Sequence, residues 1–328
     1  MDPDLPICDA HHHLWDVPGH QYQLDEFNAD ATIGQDASDR HNVVSTIFVE
    51  CTTSYTEGTD AYQRYVGETA FIDGLAETCL KRDDISIEIA KAIIARADVD
   101  DHETLTAAID VHTKASPKRF RGFRHAVNWD ADPEIGKAHT DPKPGLLLDP
   151  DFQRGAAILA EHDVIFETVI LHTQIEELTK FAKRVPKLKI VLGHMGSIVG
   201  VGRFEGQEDA VFADWSRQIS KLSECDNVHV KLGGINMMRH GFGWHKRPLP
   251  PTSDELVDRT GRYYLHTINC FGPQRCMFES NFPMDKISCS YHVLWNAFKK
   301  MTASMSNSDR SLLFQETAER LYNIAPDS

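Results

Sequence analysis

The chain predicts an α/β fold, a single-domain (β/α)8 TIM barrel spanning residues 1–328. Short β-branched runs closed by polar or turn residues occur at residues 6–10, 43–50, 85–94, 121–126, 164–171, 189–193, 228–232 and 275–279. Most segments between them carry helical spacing, as at 61–80, 153–162, 176–185, 215–225 and 254–270. Eight such units is the number that closes a barrel of parallel strands. Histidines and other polar groups recur where the runs stop, which is the end at which such barrels place their active sites. No low-complexity stretch, charge block or long Ser/Gly linker marks a domain boundary.

The first run leads into Asp9-Ala10-His11-His12-His13. Residues two apart on a strand share a side, so His11 and His13 converge on one point while His12 faces away. The fifth run is closed by His172, and the sixth, Val191-Leu192-Gly193-His194, by His194. A lone barrel-mouth histidine usually just satisfies backbone groups. Four at strand ends, two of them in HxH spacing, favour a metal centre built from His11, His13, His172 and His194. An ion held by imidazoles with an open position polarises a carbonyl and lowers the pKa of its water to roughly 7. Zinc is the first expectation and manganese the second, with metal-free operation as the alternative.

The fourth run ends in Arg124-His125, and Arg124 carries the planar fork that recognises a carboxylate. A pairing with a neighbouring acid is the plainer reading. Lys231, on the seventh run, either contacts substrate or bridges barrel carboxylates. The connection that follows, residues 236–252, is rich in aromatic and basic groups, and loops of this length are usually lids or binding loops. It offers Arg239, His240, Trp244, His245 and Arg247 as pocket residues, with an oligomer contact as the competing role. The eighth run leads through Met277-Phe278-Glu279-Ser280-Asn281 to Asp285.

Composition narrows the partners. With 41% hydrophobic and 25% charged residues the chain reads as globular. A net charge of −15 argues against nucleic acid or an anionic membrane, both of which demand a basic face. No 18-residue apolar run is present, and Met1-Asp2-Pro3-Asp4 is acidic where a signal peptide is basic, so a cytoplasmic location is expected. Seven cysteines without a CxxC pair suit reduced thiols. The expected partner is a small anionic molecule, with a homo-oligomer as a further option.

Taken in order, Asp9-Ala10-His11-His12-His13-Leu14-Trp15, His172-Thr173-Gln174, Val191-Leu192-Gly193-His194-Met195-Gly196, Val230-Lys231-Leu232-Gly233-Gly234 and Met277-Phe278-Glu279-Ser280-Asn281-Phe282-Pro283 resemble the amidohydrolase superfamily. The nearer likeness is to its amidohydrolase-2 branch, which includes sugar lactonases and 2-pyrone-4,6-dicarboxylate lactonase, with decarboxylases as more distant relatives. The resemblance implies that His11, His13 and His172 are metal ligands where a metal is present, that His194 ligates or polarises, and that Arg124-His125 lies near substrate. It also places Asn281 where metal-containing relatives carry an aspartate that takes a proton from water. An amide is no general base at neutral pH. Proton transfer then falls to His194 or Asp285, with Glu50 and Glu167 as further candidates, while Asn281 holds water or an oxyanion. The implied function is hydrolysis of a lactone or carboxylic ester. The alternatives are a metal-dependent nonoxidative decarboxylase and a metal-free lactone isomerase or hydrolase.

Overall fold

The computed structural model describes residues 2–32 and 40–324. Its strands are β1 (Pro6–His12), β2 (Trp15–Val17), β3 (His20–Tyr22), β4 (Asn42–Val49), β5 (Glu88–Arg96), β6 (Phe120–Arg124), β7 (Ile165–Thr168), β8 (Ile190–Leu192), β9 (Val228–Leu232) and β10 (Cys276–Phe278). Eight of them form one parallel sheet in the order β1-β4-β5-β6-β7-β8-β9-β10, while β2 and β3 make a small hairpin at the mouth. The sheet curls into a nearly closed barrel whose seam is joined just past the strand ends. There the Asn281 amide donates to the His11 carbonyl at 2.9 Å and the His13 amide to the Phe282 carbonyl at 2.8 Å.

All eight expected strands are present, with shifted ends. The fifth stops at Thr168 rather than Leu171, so three extended residues carry the chain over the rim before His172 enters a 3₁₀ turn, His172–Gln174. The expected helix over 61–80 is broken at Tyr65 into Ala61–Arg64 and Val66–Cys79. Helices Leu24–Thr32, Leu105–Ala115 and Tyr291–Met301 complete the outer layer.

Strand periodicity sorts side chains into two cores. Outward residues such as Phe48, Ile93, Phe123, Phe166 and Leu192 pack beneath the helices. Inward residues Cys8, Ala10, Ile47, Ala92, Ile165 and Met277 fill the barrel floor, which the C-terminal Ala318, Tyr322 and Ile324 seal from below. Above this apolar layer lies Lys231, fully buried, with Nζ 2.8 Å from Oε2 of Glu167. The Tyr322 hydroxyl donates to the other carboxylate oxygen of Glu167. The histidines form the next layer up.

Removing one member of a fully buried pair strands the other charge, at a cost of about 3–5 kcal/mol. Lys231→Met is therefore expected to lose stability of that order in urea unfolding, and Lys231→Met/Glu167→Leu to recover part of it. Wild-type stability in the single variant would sink this account.

Candidate active site

His11 and His13 both face the barrel interior, although Cys8 and Ala10 on the same strand also point inward. A parity change is needed between Ala10 and His11, and the β1–β4 register slips between Asp9 and His12 to supply it. The Nε2 atoms of His11 and His13 consequently lie 3.1 Å apart. His12 points outward, bonded to the Thr46 hydroxyl at 2.7 Å and packed on Phe27.

His194 reaches the same point from β8. Its backbone sits in the left-handed region at φ 54, followed by Met195 at φ 51, which costs of order 1–3 kcal/mol for such residues. Two neighbours hold it there. Oε1 of Glu279 accepts both the His194 backbone N–H at 3.1 Å and its ring Nδ1–H at 2.8 Å. Gly234 leaves the room, since a Cβ there would lie 2.1 Å from His194 Nδ1. A Cβ on Gly233 would likewise meet the Glu279 carbonyl at 2.3 Å, so the Gly233-Gly234 pair is the cradle of this corner. The second Glu279 oxygen lies 2.9 Å from Nδ1 of His11, in contact though off hydrogen-bond geometry.

Proton bookkeeping then fixes what the rings present. The Val49 carbonyl, 2.8 Å from His13 Nδ1, only accepts, so that nitrogen carries the hydrogen. Glu279 makes the same demand on Nδ1 of His194, and its second oxygen, 2.9 Å from Nδ1 of His11, favours the same tautomer there electrostatically. Burial holds His11 and His13 well below the ordinary histidine pKa, so both rings are neutral. Two Nε2 lone pairs thus face each other at 3.1 Å, an arrangement that favours a shared cation. His11, His194 and Glu279 lie close enough to hold a metal ion, and since Glu279 is engaged on the Nδ1 sides, the nitrogens left for one are the Nε2 atoms of His11, His194 and the adjacent His13. The donor set fits a divalent ion of the imidazole-binding kind.

His13 and His194 lie at the floor of a cavity of about 400 Å³ that Asn281, Arg124 and Arg239 also line, with His11 and Glu279 buried behind them. Asn281 donates from Nδ2 to Oδ1 of Asp285 at 2.8 Å, which leaves its side-chain oxygen without a partner among the described residues. Asp285 is fully buried behind Asn281 and also accepts the Asn236 N–H at 3.2 Å. Burial, opposed by the Asn281 hydrogen bond, raises Asp285 to about 7.

The two cavity arginines differ. Arg124 is committed to Glu50, donating from Nε to Oε1 at 2.8 Å and from Nη2 to the Glu50 carbonyl at 2.5 Å. Burial works against the Glu50 charge, but Arg124, His139 and Arg96 together outweigh it and hold that carboxyl below its ordinary value. Arg239 has no carboxylate partner among the described residues. Its Nη1 donates to the Asn128 amide oxygen at 3.1 Å, and burial lowers its pKa.

Other expected site residues lie elsewhere. His172 is not brought to the histidine floor. It accepts the Val199 N–H at 3.2 Å and packs on Phe204, because the early end of β7 carries it past the rim. His125 accepts the Val99 N–H at 3.1 Å and faces a separate cavity. Lys231 stays with Glu167 a layer below. The 236–252 loop leaves the mouth after Arg239, because Gly241, at φ 78, turns it down against Gly200. His240 consequently bonds the Ile198 carbonyl, Trp244 stacks on Phe242, His245 sits half-buried in the 3₁₀ turn Trp244–Lys246, and Arg247 pairs with Glu255 at 3.0 Å. Glu279 is the residue that sequence reasoning passed over. Its signal was a carboxylate directly after the apolar residues of the eighth run, at the end where such barrels place their active sites.

The description Amidohydrolase, a family model, matches residues 8–324. The chain belongs to the amidohydrolase family. It is an amidohydrolase-family hydrolase by this membership. An uncharacterized protein of Sinorhizobium fredii is 27% identical over 98% of this amidohydrolase and 99% of its own length. L-fucono-1,5-lactonase of Burkholderia multivorans is also 27% identical, over 63% of this chain and 64% of that enzyme. Crystal structures of an amidohydrolase from Burkholderia multivorans, one with HEPES and one with zinc, share the fold at a TM-score of 0.72 and 22% identity, covering 97% of this chain and 99% of theirs. No helix of the described residues is long and apolar enough to cross a membrane.

The Asp285 value has a thermodynamic consequence. A carboxyl raised from 3.8 to about 7 keeps its proton in the folded protein while the unfolded chain has lost it. Its contribution to stability is therefore full below about pH 4 and is lost as pH rises through about 7, at up to about 1.4 kcal/mol per pH unit. Asp285→Asn should flatten the fall of the urea midpoint between those limits. An unchanged slope would count against the assignment.

Proposed function

We propose that this amidohydrolase hydrolyses a small anionic lactone or carboxylic ester at a divalent metal centre held by His11, His13 and His194. The observation that carries this reading is the convergence of the neutral Nε2 atoms of His11 and His13 at 3.1 Å, beside His194, under a 400 Å³ cavity. Likeness to an L-fucono-1,5-lactonase supports the lactone, and the zinc in a structural relative supports zinc ahead of manganese. When bound, such an ion polarises the carbonyl and lowers the pKa of water toward roughly 7.

The chain's own residues do the rest. Glu279 and the Val49 carbonyl hold the Nδ1 hydrogens, so that the opposite ring nitrogens keep their lone pairs toward the cavity. Asn281, its amide nitrogen engaged by Asp285, offers its carbonyl oxygen to the hydrogen of the attacking water. Asp285 acts as a positioning residue for that amide, because it is buried behind Asn281 and does not line the cavity. Arg239, rather than Arg124, receives the substrate carboxylate, since Arg124 is already paired with Glu50.

Protein grown with added zinc should contain about one divalent ion per chain by mass spectrometry, and His11→Ala/His13→Ala should contain none. Glu279→Gln should weaken metal affinity roughly 10–100-fold. Metal-free wild-type protein that hydrolyses lactones at full rate in chelator would overturn the metal centre.

Arg239→Ala should lower kcat/KM on carboxylate-bearing lactones by about ten- to a hundredfold, as loss of a charged hydrogen bond worth about 1.5–3 kcal/mol implies. Neutral lactones should change little. An equal effect on both classes would remove Arg239 from carboxylate recognition.

A further inference from the structure

The catalytic cavity does not end at Arg239. A second compartment of about 560 Å³ shares Met237, Arg239 and Met284 with it and continues along Met238, Ile287 and Ile135, with Glu134, Glu205 and Lys246 at its polar side. Three of the seven large apolar side chains most exposed among the described residues stand here: Met238 at 55%, Met284 at 46% and Ile287 at 51%. Scattered apolar residues on a surface need no explanation, but a contiguous apolar wall opening from a polar catalytic floor marks a binding surface. Methionine suits such a wall, being unbranched and adaptable in shape. The guanidinium at the junction has no carboxylate partner among the described residues, while Lys137 and Arg124, also on the catalytic cavity, are paired with Asp141 and Glu50.

We propose that this compartment receives an apolar arm of the substrate, so that the enzyme takes amphiphilic acids. In this arrangement the bond to be cleaved lies toward His13 and His194, a carboxylate meets Arg239, and an alkyl chain of several carbons or an aryl ring lies along Met237, Met238, Met284 and Ile287. The proposal rests on the reading of the cavity as the hydrolytic site. The occupant follows from the sharing of walls: a ligand held at Arg239 has Met237 and Met284 beside it and Met238 and Ile287 directly beyond.

Binding of straight-chain carboxylates from butanoate to decanoate to the full-length protein, followed by titration calorimetry, tests this without turnover. Full burial of a methylene is worth about 0.8 kcal/mol, roughly fourfold, so a partly open compartment should tighten binding about two- to fourfold per carbon. Ile287→Asp and Met238→Asp, both at exposed positions, should flatten that dependence on chain length. Equal affinity across the series, absence of binding, or an unchanged slope in both variants would overturn the proposal. So would an Ile287→Asp protein that passes from dimer to monomer with its slope intact, since the wall then covers a second copy of the chain. Lactone hydrolysis with a flat carboxylate series sinks the compartment alone. A clear chain-length dependence in a protein that hydrolyses no lactone or ester sinks the hydrolytic reading and leaves the compartment standing.

Discussion

The Glu279 carboxylate, wedged between the Nδ1 sides of His11 and His194, is the contact on which the rest of the site depends. It comes from the end of β10 and touches the end of β1 on one side and of β8 on the other. Those strands are not hydrogen-bond neighbours along the sheet. The barrel seam is thus fastened by a side chain as well as by the two backbone bonds beyond the strand ends. The same carboxylate stabilises an unfavourable backbone at His194 by accepting its main-chain N–H, and orients its ring by accepting the side-chain N–H. Local strain persists where the surroundings over-determine it. Here the surroundings are one carboxylate and two glycines whose missing Cβ atoms leave room for it.

Below and beside that layer the barrel interior holds two buried ion pairs. Lys231 meets Glu167 and Arg124 meets Glu50, every one of these groups nearly inaccessible to solvent. Buried pairs are weak contributors to net stability but severe penalties when half-broken, so they constrain which side chains can face inward. The consequence for recognition is direct. An arginine already bound to an internal carboxylate has little left for a ligand, whereas Arg239, anchored only by the neutral Asn128 amide, keeps its charge available to one.

Much of the fold was legible because period-two burial and short apolar runs report parallel strands well. Val191, flanked by Ile190 and Leu192, shows it: one residue inward and two outward, all apolar. The HxH pair was legible in outcome but not in cause. Simple alternation from Cys8 and Ala10 puts His11 on the wrong side, and only the register slip after Asp9 corrects it, which no local pattern announces. His172 was misplaced because its apolar run continues three residues past the last ladder partner. Hydrophobicity does not distinguish a strand from the extended segment that follows it. The 236–252 loop was read as one binding element, yet Gly241 divides it. Whether a glycine turns a loop toward a mouth or away from it is decided by what it packs on, in this case Gly200.

The strand-eight position shows how neighbouring carboxyls limit one another. An aspartate at 281 would have placed its oxygen where the Asn281 amide nitrogen now sits, 2.8 Å from Oδ1 of Asp285. Two carboxyls at that distance cannot both ionise, and one would be held protonated. The amide avoids this conflict, because it donates to Asp285 and still turns an acceptor oxygen away from it. Asn281 sits at φ 55, a left-handed conformation that asparagine tolerates better than most residues. Asn281 and Asp285 therefore form a matched donor and acceptor pair. Glu279, two residues earlier, meanwhile provides the carboxylate that touches the histidines.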